Sequence, residues 1–171
     1  MGQRSQIYVA YKDNEEHKLV ARYYQWNFGS RMVSRARGLI EWLSERIDYL
    51  AWESDKIARV ADVNFDFRDI VISTDLIEEK RKYGFNPFTE VDNDDGKLFI
   101  LVEGKSLKYC FTDGDIAAPL TAEQYMEWDN CAKDTEENDG SNYTENCKFL
   151  SEFELMSEEE LWKMINANYK E

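Results

Sequence analysis

The stretch QIYVAYKDNEEHKLVARYYQW, residues 6–26, decides how the chain is read. QIYVAYKD is dense in β-branched and aromatic residues, the composition that suits a pleated, half-buried surface. NEEH interrupts it with four polar residues, and KLVARYYQW returns in kind, so the chain should open on an antiparallel hairpin. Strand alternation sets Tyr24, Trp26 and Phe28 on one face of the returning strand, and Tyr23 and Gln25 on the other. Ring surface on both faces of a strand end fits a junction with a following helix. It also fits a pocket for a planar ligand.

After Phe28 the apolar period changes. Met32, Val33, Ala36, Leu39, Ile40, Leu43, Ile47, Leu50 and Ala51 recur every three or four residues, which predicts one long helix to about residue 58 with Ser30 as its N-cap. Its other faces carry Arg31, Arg35, Arg37, Arg46, Glu41, Glu45 and Asp48. In RVADVNFDFRDIVIST, Val63, Phe65 and Phe67 alternate with acids and an amide, a strand pattern that Ile70, Val71 and Ile72 continue. DLIEEKRKYGFNPF reads as a short helix or turn stopped by Gly84 and Pro87. KLFILVEGKSLKYCF is the clearest hairpin, with Glu103-Gly104 at its turn. Two capping boxes, Thr121 with Gln124 and Ser157 with Glu160, open two further helices.

Hairpins interspersed with helices predict an α+β fold with a mainly antiparallel sheet, a long helix after the N-terminal hairpin and a helix at the C-terminus. The length of 171 residues is about that of one domain. The polar, acidic, aperiodic run at about 132–147 reads as a loop or insertion within it.

Charge is unevenly placed. Residues 1–60 carry ten basic and eight acidic side chains, whereas residues 61–171 carry eleven and twenty-seven, so a net −16 lies in the later part of a chain whose total is −14. Such a surface repels nucleic acid and attracts basic partners. The N-terminal segment lacks an apolar signal core, and the longest apolar runs fall far short of the roughly 20 residues of a membrane span. Three cysteines without that signal fit reduced thiols, so the expectation is a cytoplasmic protein without a membrane partner.

The familiar chemistries fit poorly. His17 is the single histidine, too few for a histidine-based zinc site. Cys110, Cys131 and Cys147 lack CxxC spacing, although Cys131 and Cys147 flank the acidic run and oxidation can clip its base. VEGKS ends like a phosphate-binding loop, but Phe99 stands where its first glycine belongs. VDNDDGKLF resembles a calcium loop, yet Val91 and Val102 fall at the first and last ligand positions. No metal, cofactor or catalytic residue is assigned, and the chain reads as a non-enzyme.

MGQR at the start and VARYYQWN at 20–27 resemble a family of short proteins of phages and Firmicutes genomes that open with MGxR and end a second strand in V-A-x-Y-x-Q-W-(D/N). Gly2, Arg4, Val20, Ala21, Tyr23, Gln25, Trp26 and Asn27 carry the resemblance. The chain departs from the pattern after Asn27, where the family is richer in glycine. The resemblance implies a phage or integrated-element origin, and by analogy an inhibitor of host defence of the anti-CRISPR kind.

Two functional expectations follow. In the first, carboxylates imitate nucleic-acid phosphates and occupy the basic surface of a host nuclease or other nucleic-acid-binding protein, without direct nucleic-acid contact. The residues for that are Glu90, Asp92, Asp94, Asp95, Asp134, Glu136, Glu137, Asp139 and Glu145. In the second, Arg4, Tyr23, Tyr24, Gln25 and Trp26 line a pocket for a planar, nucleotide-like small molecule, or the chain is a carboxylate-using enzyme.

Overall fold

A computed structural model describes residues 4–13, 16–25, 29–48, 54–63, 70–128 and 143–169. The first hairpin forms as the sequence predicts. β1 (Arg4–Asp13) pairs antiparallel with β2 (Glu16–Gln25), Arg4 opposite Gln25 and Val9 opposite Val20. The second hairpin joins β4 (Lys97–Glu103) to β5 (Ser106–Thr112), with Glu103 opposite Ser106. The turn residues are therefore Gly104 and Lys105, one position later than expected, and Gly104 takes the positive φ of 59° that such a turn needs.

The sheet is mixed, with three antiparallel and two parallel strand pairings, so it is mainly but not purely antiparallel. Its order is β3-β2-β1-β4-β5-β6, where β3 is Ser73–Asp75 and β6 is Glu154–Leu155. The two hairpins meet first strand to first strand, and β1 and β4 run parallel, Gln6 beside Lys97 and Ala10 beside Leu101. β6 also adds in parallel, against β5. Both central strands are buried on both faces, so they read as near-continuous apolar runs, IYVAY and LFILV, instead of a clean alternation.

Helices cover both faces. On one face, α1 (Gly29–Glu45) lays Met32, Val33, Ala36, Leu39, Ile40 and Leu43 against Ile7, Val9, Leu98 and Ile100. α2 (Ser54–Ala61), α4 (Ala122–Trp128) and α5 (Tyr143–Leu150) join the same core. On the opposite face, α3 (Leu76–Tyr83) and α6 (Glu158–Asn166) pack Leu76, Leu161, Met164 and Ile165 around Tyr8, Ala10, Ala21 and Phe99.

The expected single helix to residue 58 is two helices. α1 stops at Glu45, and the Arg46 side chain donates to the Trp42 carbonyl while its guanidinium sits 4.7 Å over the Trp42 ring. A cation at a helix C-terminus satisfies a carbonyl that has no intrahelical donor. Ile47 still packs on the core beyond that end, so the periodicity reported burial and not continuity of helix. Ser30 lies within α1, not ahead of it. Of the strand pattern expected at Val63, Phe65 and Phe67 and continued by Ile70, Val71 and Ile72, the described ends Val63 and Ile70 form one isolated antiparallel bridge, and the strand β3 that follows is short. Phe65 and Phe67 lie outside the described residues.

The locally encoded signals hold. Asp75 caps α3 by accepting from the N–H groups of Ile77 and Glu78, and Gly84 ends it at φ 73°. Thr121 and Gln124 form a reciprocal capping box, as do Ser157 and Glu160. Of the acidic run expected as a loop at 132–147, residues 143–147 are helical in α5 and the remainder lies outside the described residues.

Candidate functional site

The acidic segment Glu90–Asp95 is an anchored loop. The Tyr8 hydroxyl donates to the Pro87 carbonyl at 2.5 Å, the Lys97 ammonium donates to the Phe88 carbonyl, and Gln6 Nε2 donates to the Asp92 carbonyl at 2.9 Å. Asn93 Nδ2 donates to Gln6 Oε1 and to the Gly96 carbonyl, and its Oδ1 accepts from the Gly96 N–H. The Arg4 carbonyl accepts from the N–H groups of Asp94 and Asp95. The resemblance to a calcium loop thus resolves into an amide-closed turn with no cation needed to shape it. No cluster of three metal-ligating side chains occurs among the described residues.

This anchoring sorts the predicted acids. Glu90, Asp92 and Asp94 are exposed, and Asp94 faces Arg4 at 3.5 Å. Asp95 is buried, beneath a Tyr125 hydroxyl that donates to its carbonyl, so its carboxylate belongs to the interior and is withdrawn from the expected binding set. Glu145 is exposed on α5. Asp134, Glu136, Glu137 and Asp139 lie outside the described residues.

The expected aromatic pocket does not assemble. Tyr24 is fully buried on the α1 face, where its hydroxyl donates to Asp62 at 2.8 Å and the Arg35 guanidinium lies 4.7 Å over its ring. Tyr23 points to the opposite face, Gln25 is exposed, and Arg4 pairs with Asp94. Trp26 lies outside the described residues. A period of two makes neighbouring strand residues unable to line one pocket, since they face opposite sides of the sheet. Burial raises the Tyr24 hydroxyl well above its ordinary range, with Arg35 pulling it down and Asp62 pushing it up, so it remains a protonated donor. Ser73 Oγ donates to the same Asp62 oxygen at 2.7 Å and accepts from Arg22 Nε at 2.8 Å, which ties edge strand β3 to β2.

Two charged interior groups escaped the sequence reading. Arg35, expected on an outer face of the helix, is fully buried. Lys97, inside a strand run, is 1% exposed. Burial pulls the Lys97 amine down to about 8, against the opposing pull of Asp115 and Asp113. A signal for Lys97 existed, because alternation places it on the same side as Phe99 and Leu101. Cys110 and Cys147 are buried, and Cys131 lies outside the described residues. Burial pushes the Cys110 thiol up, which keeps it protonated and unreactive.

Two surfaces among the described residues set exposed apolar and charged side chains side by side. The first is the stretch from Glu152 to Trp162. Glu152, Glu154, Glu158 and Glu159 are exposed there, beside Leu155 and Trp162 at 36% and 38% exposure. Glu158 and Glu159 precede Trp162 by four and three residues, so all three share one side of α6. Glu160 is turned away. Its carboxylate takes the Lys108 ammonium at 2.6 Å and caps the helix, and the Lys108 hydrogen bond, followed by the Ser157 N–H, holds it below its ordinary range. The second surface is a pair of clefts on the α3/α6 face, separated by the segment Ala167–Tyr169. One, of 390 Å³, lies beside Ile77, Phe85 and Phe88, and the other, of 430 Å³, lies beside Leu101, His17 and Met164.

No family model, curated protein or solved structure matches this chain, so the geometry and the charge carry the functional reading.

Proposed function

We propose that the protein is a non-enzymatic, acidic binding module that occupies the basic surface of a nucleic-acid-binding protein. The observation that carries the reading is the exposed carboxylate group around Trp162. The Trp162 ring supplies apolar area, and Glu158 and Glu159, four and three residues before it on α6, supply anionic oxygens on the same side of the helix. Such a centre, an aromatic anchor inside a charged rim, is the composition of a binding hot spot. Arg and Lys of a partner pair with carboxylates as they do with phosphates. Residues 113–171 hold sixteen acidic and four basic side chains, so the later part of the chain that carries this centre is strongly acidic. Glu90, Asp92, Asp94 and Glu145 extend the exposed set. The narrower form of the proposal, a phage-encoded inhibitor of a bacterial defence nuclease acting in the host cytoplasm, rests on the resemblance of residues 2–27.

The test is competition. The full chain is titrated into a panel of basic nucleases and repressor domains, each bound to labelled duplex DNA. The expected result is displacement of DNA from one of them, with affinity falling about tenfold or more as salt rises past the point where the screening length is near 10 Å. Trp162→Ala and the pair Glu158→Lys, Glu159→Lys should each weaken that displacement. An affinity indifferent to salt, or a double charge reversal without effect, rejects the reading.

A further inference from the structure

The 430 Å³ cleft is walled by the ends of β1, β2 and β4 on one side and by α6 on the other. Its volume falls within the range of small-ligand sites, roughly 300–1,000 Å³. Ala10, Leu101 and Met164 give it an apolar floor, drawn from two central strands and the helix above them. Its basic residues are Lys12, Lys163 and His17, all exposed, and none of the three has an ion pair among the described residues. Two carboxylates line the cleft as well. Glu160 is neutralised by Lys108 at 2.6 Å and by the Ser157 N–H, which leaves Glu103 as the acid not already engaged.

The cleft differs in charge from the acidic later part of the chain. A chain with 35 acidic and 21 basic side chains places two lysines and its single histidine at the mouth of one cavity, opposite one uncommitted carboxylate. Cations around an apolar floor select a ligand with an anionic head and an apolar body, since the floor gains from burying carbon and the rim from charge-assisted hydrogen bonds. The tail segment Ala167–Tyr169 forms part of the wall and is held by the Tyr169 hydroxyl, which donates to the Met164 carbonyl at 2.5 Å. The cavity is therefore bounded by a braced tail and two paired strands, a preformed shape that limits the ordering cost of binding.

We propose that this cleft is a binding site for one small organic anion with an apolar body, its headgroup held by Lys12, Lys163 and His17 and its body over Leu101 and Met164. This site is separate from the acidic surface around Trp162 and stands or falls without it.

His17 is the only histidine, so its imidazole proton resonances report on the cleft without assignment of other signals. Octanoate is the probe, with octanol and octylammonium as the neutral and cationic members of the same chain length. Octanoate should move the His17 resonances saturably and bind one per chain by native mass spectrometry, octanol should bind more weakly, and octylammonium should leave His17 unmoved. The variant Lys12→Gln with Lys163→Gln, both exposed positions, should keep the fold by circular dichroism and lose about tenfold or more in octanoate affinity, the scale of a lost charged hydrogen bond. The absence of saturable His17 movement, equal binding of octylammonium, or unchanged octanoate affinity in the double variant overturns the proposal.

Discussion

Beneath α1 the sheet is covered by helices whose apolar side chains meet Ile7, Val9, Leu98 and Ile100. The opposite face is covered by α3 and α6 only in part, and the non-helical segment 84–96 covers the rest. A helix brings its backbone hydrogen bonds with it, whereas a loop laid on a sheet brings carbonyls that need donors. That is why Tyr8, Gln6 and Lys97 reach out of the second face to the carbonyls of Pro87, Asp92 and Phe88. The two clefts described above border the second face. A loop and a tail close a surface less completely than a row of helices does.

Five substitutions can break or sharpen this contrast. The largest expected effect is Phe111→Ala, on the α1 side, where the ring stacks on Tyr125 at 4.4 Å. Its loss should cost about 4 kcal/mol in urea unfolding. Cys110→Ala, the adjacent residue facing the other way, should cost about 1 kcal/mol. Equal costs would mean that the two faces share the load. Gly96→Ala strikes where the loop enters β4. At φ 87°, a Cβ would stand 2.6 Å from the Thr112 carbonyl oxygen and 2.8 Å from the Tyr125 ring. A loss of about 3 kcal/mol is expected from strain and overpacking together, and a silent substitution would show that this junction adapts.

Lys97 offers a pH test specific to the loop-covered face. With the folded-state amine at about 8, below its unfolded value, the unfolded chain binds the extra proton above that pH. Stability from this group therefore rises from about pH 8 to the ordinary lysine range near 10.4, and is flat on either side. Cys110 and the buried tyrosines Tyr8 and Tyr24, raised by burial, act in the opposite direction at high pH. The clean measurement is the difference between the parent and Lys97→Met, which should climb by up to about 3 kcal/mol across that window. A flat difference would show that the amine is well solvated. The smallest effect is expected from Ser157→Ala, which removes one half of the α6 capping box and should cost about 1 kcal/mol by thermal unfolding. It should leave octanoate-induced movement of His17 intact, because it touches the cleft only through the helix.

How far the sequence could be read depended on the reach of each interaction. Asp75, Gly84, Thr121, Gln124, Ser157 and Glu160 act within four residues of themselves, and each was readable from its neighbours. The periodic run Met32–Leu43 was readable as a buried stripe, yet the end of α1 at Glu45 was not, since Ile47 keeps the period after the helix has stopped. Of the candidate acids, Asp95 was indistinguishable in sequence from Asp94, and only the docking of Tyr125 over it sets the two apart. The aromatic pocket failed on a rule that the sequence itself contains. Tyr23 and Tyr24 cannot face the same way along a strand.

By itself, the sequence determined two hairpins, the caps of α4 and α6 and a strongly negative later portion, because turns, capping boxes and charge depend on residue type and short spacing. The tertiary structure decided that β1 and β4 lie side by side in parallel, that Arg35 and Lys97 are interior, and that Lys12, His17 and Lys163 meet around one cleft. Those outcomes join residues as many as 151 positions apart, Lys12 and Lys163 being the extreme. No local hydrogen bond or period links such residues. They come together when two apolar central strands are driven to bury both of their faces.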